Sequence, residues 1–261
     1  MEIELDMNKS IEQNAELYFN HSKKFKKKIE GAEVALEDTK KKLAKLKTEK
    51  EKFMAEQEVE REIKGRKKHW YEKFRWFISS TGFLVIGGRD ATSNEIVIKK
   101  HAEKGDLVFH TDMAGSPFFV IRSEGKEIDD VTIKEAADAT CTFSKAFQKG
   151  LREQSVFYVK PEQVTKEAQS GEYLPKGAFM IRGETKYIQN TINCAMGLYE
   201  GAVMSGPVEA VSKHCEQYVL VDQGDDKVSA IAKKIKAKLG GDLDELVRQL
   251  PTGGMKIVKE K

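Results

Sequence analysis

An α+β domain preceded by one long coiled-coil helix is the architecture that this 261-residue sequence predicts. Three observations point to it. An apolar seam steps by four and three residues without a break from Ile11 to Phe53. Short apolar runs, separated by Gly, Pro, Asn and Asp, follow between Phe83 and Ile181. A helical pattern interrupts those runs after Thr132, and strands, helix and strands in that order favour segregated α+β packing over a regularly alternating sheet.

The seam comprises Ile11, Ala15, Tyr18, Ser22, Phe25, Ile29, Ala32, Leu36, Thr39, Leu43, Leu46, Lys50 and Phe53. A repeat of 3.5 residues keeps one face toward a partner helix, and about six heptads suffice for a coiled coil. Gly31 costs such a helix only about 1 kcal/mol, so an unbroken paired helix is expected rather than a hairpin there. The seam needs something to bury against: a second copy of the chain, a partner chain or a helix from another segment. After Phe53 the expected positions turn polar at Gln57, Glu60 and Lys64.

At His69 the composition changes to an aromatic block in which Trp70, Phe74 and Phe77 share helical spacing and are expected to pack a helix end onto the domain. A strand over 83–86, a Gly87-Gly88 turn and a second strand over 95–98 read as a hairpin. Strands over 107–110 and 118–121 flank a polar loop, 111–117. Residues 132–149 read as a helix, with Thr132 and Glu135 as its capping box. Strands over 156–159 and 178–181 follow. The tail reads as a strand over 218–221, a turn at 222–225, a helix through Val228, Ile231, Ala232, Ile235 and Leu239, a second helix over 242–250, and a strand at 257–258. Three segments result: a coiled-coil helix over 1–68, a compact mixed domain over 69–215, and a C-terminal β-α-α-β extension over 216–261 packed on it.

Composition narrows the function classes. The formal net charge is only +3, with 33% charged residues, so no strong overall positive field is present. Cations cluster locally at residues 23–28, 40–42 and 66–68, where they either meet phosphate or form a solvated helix face. The three cysteines, Cys141, Cys194 and Cys215, are widely spaced and lack a C-x-x-C pair, so neither a zinc site nor a disulfide framework is expected. No apolar run approaches a membrane span, and the acidic start is unlike a secretory signal. A reduced, cytosolic compartment and no membrane partner are expected.

Several blocks, in order, resemble one known domain. Trp70-Tyr71-Glu72-Lys73-Phe74-Arg75-Trp76-Phe77-Ile78-Ser79-Ser80 opens the series, and Val85-Ile86-Gly87-Gly88-Arg89-Asp90 follows with Asn94-Glu95. Lys104-Gly105-Asp106, His110 with the Gly115 loop, residues 132–135, Gly171-Glu172-Tyr173-Leu174 and residues 177–183 continue it. These blocks look like the RNA-binding (NFACT-R) domain of the NFACT family, and residues 5–19 are similar to the start of that family's coiled-coil helix. The resemblance implies binding to RNA, rRNA or tRNA, and to the large ribosomal subunit, in quality control of stalled nascent chains. No counterpart of the family's N-terminal domain or helix-hairpin-helix region is read here. Tail addition by this chain alone is therefore not expected, and it reads as a stand-alone version or a fragment.

Candidate RNA-contacting residues are Arg75, Arg89, Asn94, Lys99, Lys100, His110, Asp112, Gly115, Ser116, Arg122, Tyr173, Arg182 and Lys186. The cations can neutralise phosphate, the Gly115-Ser116 backbone can approach it closely, and Tyr71, Trp76 or Tyr173 can stack an unpaired base. Gly87-Gly88 reads as a tight turn, and Arg89-Asp90 as an ion pair or a phosphate contact. His110 and Asp112 invite a metal or acid-base reading but lack a third ligand or a nucleophile, so no catalysis and no cofactor are expected. The alternative is a coiled-coil adaptor between proteins.

Overall fold

The computed structural model describes residues 3–167 and 174–260, apart from the side chains of 51–53, 55–65, 259 and 260. The chain divides into two units, Met1–Arg61 and Glu62–Lys261.

The first unit is built on a single unbroken helix, α1 (Ile11–Gly65), which passes through Gly31 without a turn. Its start is fixed locally. Ser10 Oγ accepts from Gln13 N–H at 3.2 Å while Gln13 Oε1 accepts from Ser10 N–H at 3.0 Å, a reciprocal capping box. The buried Asn14 side chain donates to the carbonyls of Asp6, Lys9 and Ser10 and accepts from Asp6 N–H, tying down the turn before the helix. The described seam residues Ile11, Tyr18, Phe25, Ile29, Leu36, Leu43 and Leu46 are exposed.

The second unit begins with β1 (Arg75–Ile78), β2 (Leu84–Gly87), α2 (Ala91–His101), β3 (Leu107–Thr111), β4 (Phe119–Ile121), α3 (Asp130–Thr142), α4 (Lys145–Gln148), β5 (Val156–Val159), β6 (Val164–Thr165), β7 (Met180–Ile181) and β8 (Lys186–Ile188). It continues with β9 (Ala195–Tyr199), β10 (Ala202–Gly206), α5 (Val208–His214), β11 (Tyr218–Asp226), α6 (Val228–Leu239), α7 (Leu243–Gln249) and β12 (Met255–Glu260). A six-stranded antiparallel sheet runs β1-β2-β4-β3-β5-β8, a four-stranded one runs β10-β9-β11-β12, and β6 pairs with β7. Because β9 pairs with β11, residues on both sides of position 216 share a sheet. The main core joins Phe74, Trp76, Phe77, Phe109 and Phe119 around the larger sheet. Met196, Val219, Ile231, Ile235 and Leu246 fill the second, beside α6 and α7. Gly206 lets β10 lie against Phe77, since a Cβ there would come 2.7 Å from the ring.

Several elements differ from expectation, each for a local physical reason. Residues 95–98 are helical, not a strand. Asp90 caps α2 by accepting from Ser93 N–H at 2.8 Å, and Ser93, Asn94, Val97 and Ile98 form one buried face, which overrides the β-propensity of Ile96-Val97-Ile98. Gly87-Gly88 is a close-packing pair rather than a turn: Cβ atoms there would lie 2.4 Å from Phe119 and 1.9 Å from Asn94 Oδ1. The aromatic block forms a short 3-10 turn, Trp70–Lys73, followed directly by β1. Phe74 and Phe77 are therefore core residues, whereas Trp70 stays 43% exposed and stacks on His101 at 4.3 Å.

The helix expected over 132–149 is two helices. Ser144 Oγ accepts from Ala146 N–H at 3.0 Å and restarts the chain as α4. The cap of α3 is Asp129, not a Thr132–Glu135 box, because Glu135 Oε2 instead accepts from Ser80 N–H at 2.9 Å. Residues 222–225 continue β11 as an irregular strand instead of turning. Gly224 and Gly254 permit this, with a Cβ on Gly254 falling 2.2 Å from the Gly224 carbonyl oxygen.

Candidate nucleic-acid interface

A cleft of about 710 Å³ opens in the second unit between the end of β2, the start of α2, the 111–117 loop, the start of α4 and the 175–181 segment. Six of the sequence candidates meet there: Arg75, Arg89, Asn94, His110, Gly115 and Ser116. Each is positioned by a different part of the fold.

Arg75 opens β1 with its side chain turned into the core, and the residue is 5% exposed. Its guanidinium lies 4.7 Å from the Phe143 ring. It reaches the carbonyls of Gly88 and Leu250 only at 3.4 Å each, and its Nε has no partner. Burial, reinforced by the charge of Arg89, pushes its pKa down to about 10, which still leaves it cationic at neutral pH. Arg89 is half-buried, and its Nε is likewise buried without a partner. Its pKa is lowered by burial and then by Arg248, with Asp90 acting in the opposite direction. Among the described residues, neither arginine forms an ion pair. Of the two readings of Arg89-Asp90, the ion pair is not made, because the Asp90 carboxylate accepts instead from the N–H and Oγ–H of Ser93.

Asn94 is a wall of the cleft rather than a free polar group: its Oδ1 accepts from Phe118 N–H at 3.1 Å and fixes α2 to the adjoining strand. The His110 ring stacks on Phe118 at 4.1 Å and its Nε2–H donates to the Ser116 carbonyl at 3.2 Å. Burial depresses the pKa of His110, keeping it neutral. Thr111 and Ser116 hydroxyls meet at 2.5 Å, and Ser116 also donates to the Met113 carbonyl, so the loop is held closed by its own side chains. Gly115 adopts φ +81°, a conformation natural to glycine. The exposed Lys145 ammonium lies 3.0 Å from where a Gly115 Cβ would sit.

Sequence reasoning passed over Lys145, Lys176, Phe118 and Phe179 as site residues. All four line the cleft. Phe118 and Phe179 pack edge to face at 5.4 Å. Gly177, at φ +81°, lets the 175–181 segment reach the start of α2, where a Cβ would come 2.6 Å from Ala91. The helix break at Ser144, which places Lys145 opposite the glycine loop, was the one local signal for that residue. Arg75, Arg89, Lys145 and Lys176 thus face a single lining carboxylate, Asp90, already engaged. The cleft suits an anion with a flat or apolar part.

The other candidates stand elsewhere. Arg122 pairs with Glu103 at 2.8 Å and Asp106 at 3.1 Å. Lys99 and Lys100 are exposed at the end of α2, and Lys99 approaches Glu95 at 3.9 Å. Asp112 accepts from the Tyr187 hydroxyl at 3.2 Å, Arg182 approaches Glu167 at 3.5 Å, and Lys186 lies over the Tyr158 ring. Tyr173, with the 171–173 part of its block, lies outside the described residues. Trp76 is buried and Tyr71 stacks on His69, so neither presents an open face like that of a free aromatic. Among the described residues, no cluster of three His, Cys, Asp or Glu side chains could hold a metal, and no helix is long and apolar enough to cross a membrane.

The family described as NFACT protein RNA binding domain matches residues 73–183, which supply all but one of the residues lining the cleft. An archaeal Rqc2 homolog from Methanocaldococcus jannaschii is 41% identical over 78% of this chain and 31% of its own length. The ribosome quality control complex subunit NEMF of Homo sapiens is 38% identical over 67% of this chain and 16% of its own. The NEMF homolog of Drosophila melanogaster is 34% identical over 75% and 20%. The chain thus spans a third or less of these curated relatives. The ordered sequence blocks and these relatives agree with that match: residues 73–183 carry the NFACT RNA-binding domain, and a long helix precedes them.

Proposed function

We propose that this chain is a non-enzymatic RNA- and ribosome-binding unit acting in the cytoplasm, in ribosome-associated quality control of stalled nascent chains. It contacts the large ribosomal subunit or tRNA through the cleft of the second unit. The observation that carries the reading is the pair Arg75, buried, and Arg89, half-buried with a buried and unpartnered Nε, neither of which has a carboxylate partner, inside the span that matches an RNA-binding domain family. A buried cation without a counter-charge is costly, and phosphate oxygens supply both the charge and the planar acceptor geometry that a guanidinium fork matches. The names of the relatives supply the ribosomal context.

Sedimentation of the purified chain with isolated large ribosomal subunits, and separately with tRNA, over a salt series tests this. Binding that weakens steeply as salt rises is expected, because each phosphate contact releases counterions. Association that ignores salt would contradict it. A second reading, a coiled-coil adaptor, is favoured by the exposed seam Ile11 to Leu46 on α1. Removing residues 1–61 separates the two: RNA binding survives in the first reading and is lost in the second.

A further inference from the structure

We infer that the cleft takes one unpaired nucleotide, with its phosphate held by Arg75, Arg89 and Lys145 and its base against Phe179. This rests on the RNA-binding reading and narrows it from RNA in general to a strand with an unstacked base.

Size is the first argument. A cleft of about 710 Å³ lies within the roughly 300–1,000 Å³ typical of small-ligand sites. An intact duplex keeps its bases stacked and offers only phosphates and groove edges, so it cannot place a base inside such a cleft; single strands, bulges and ends can. The donor set is the second. Arg75 is nine-tenths buried, with an unpartnered Nε and only long hydrogen bonds to carbonyls, and Arg89 Nε is also unsatisfied. The third is the opposite wall. Phe118, Phe179 and Ile181 are apolar, and a site for a bare inorganic anion or an acidic peptide has no use for them. Asp90 does not oppose the phosphate strongly, because its carboxylate is held by Ser93.

Fluorescence anisotropy on the full chain tests the inference with labelled ten-nucleotide oligouridylate and oligoadenylate. A blunt RNA duplex, AMP and polyglutamate serve as competitors. The single strands should bind at least tenfold more tightly than the duplex. Arg89→Gln should weaken them about tenfold, the scale of one charge-assisted contact, and Phe179→Ala by at least about fivefold. Arg89→Gln should melt at or above the wild-type temperature, which loss of a merely structural residue would not give. Lys145→Gln, at an exposed position that cannot unfold the chain, should still cost about threefold.

Equal binding of duplex and single strand, with the variants unaffected, would overturn the inference and leave the RNA-binding reading standing. Displacement by polyglutamate as effective as by RNA would overturn it by showing that the cleft reads charge alone. AMP competing as well as the oligonucleotides would assign the cleft to free nucleotides and overturn the strand assignment. If neither RNA binds to the folded chain, the reading and the inference fall together.

Discussion

Arg75 and Arg122 sit in the same unit, both largely withdrawn from water, and their surroundings differ. Arg122 meets Asp106 at 3.1 Å and Glu103 at 2.8 Å, and Asp106 is itself 2% exposed and further anchored by the backbone N–H and hydroxyl of Ser123. Arg75 has a phenylalanine ring, two distant carbonyls and a second arginine. The first arrangement is balanced in charge by two carboxylates, although the Arg122 Nε, like that of Arg75, makes no hydrogen bond. The second lowers stability and retains unused donor capacity. An arginine read from sequence as a phosphate ligand can be either, and only the location of its carboxylates decides.

The largest effect should come from breaking the charge-balanced site. Asp106→Ala leaves Arg122 buried without its inner partner and should cost about 3–5 kcal/mol of stability, measured by denaturant unfolding. RNA affinity, measured at a temperature where the variant is still folded, should not change. Next in size is Arg89→Gln, which should lower RNA affinity about tenfold, or about 1.4 kcal/mol, with no loss of melting temperature. Equal loss of stability in both variants would erase the distinction between the two sites.

Acid sensitivity is smaller. The pKa of His110 is depressed by burial below 6.5, so the unfolded chain takes up the proton first. The stability due to neutral His110 is therefore fully present above about pH 6.5 and is lost as pH falls through its folded-state pKa. His110→Phe keeps the packing on Phe118 and should flatten the fall in melting temperature between about pH 7.5 and 5.5. Glu135 and Asp138, whose pKa values burial raises, have the opposite sign and contribute more as pH falls. The smallest effect should be Glu103→Gln at the rim of the Arg122 site. Glu103 is exposed, so its loss should cost less than about 1 kcal/mol, measured by the same unfolding curves.

Legibility in the sequence followed the range of the interactions. The helix α1 could be read because a 3.5-residue repeat is local, and α6 because its apolar face ends at Gly240-Gly241. In α2 the run Ile96-Val97-Ile98 signalled a strand, while the decisive Asp90–Ser93 cap occupies only four residues. The stretch that forms β9, β10 and α5 was not read at all. Its glycines have meaning only through distant partners, Gly197 against Cys215 and Gly206 against Phe77. The site divides in the same way. Arg89 and the Gly115 loop stood out as cation and glycine motifs, but Lys145 and Phe179 reach the cleft only once α4 and the 175–181 segment fold across it. Nor could charge alone separate Arg122 from Arg75, since Asp106 lies sixteen residues from Arg122 in the chain and becomes its partner only across the folded β3–β4 region.

The salt dependence of single-stranded RNA binding, compared between wild type and the Arg89→Gln/Lys145→Gln double variant, tests the central claim most directly. If the cleft cations contact phosphate, the slope of log affinity against log salt should fall in magnitude by about 0.7 for each contact removed. A double variant that binds RNA with the wild-type affinity and the wild-type slope would contradict the account and move the interface elsewhere on the molecule.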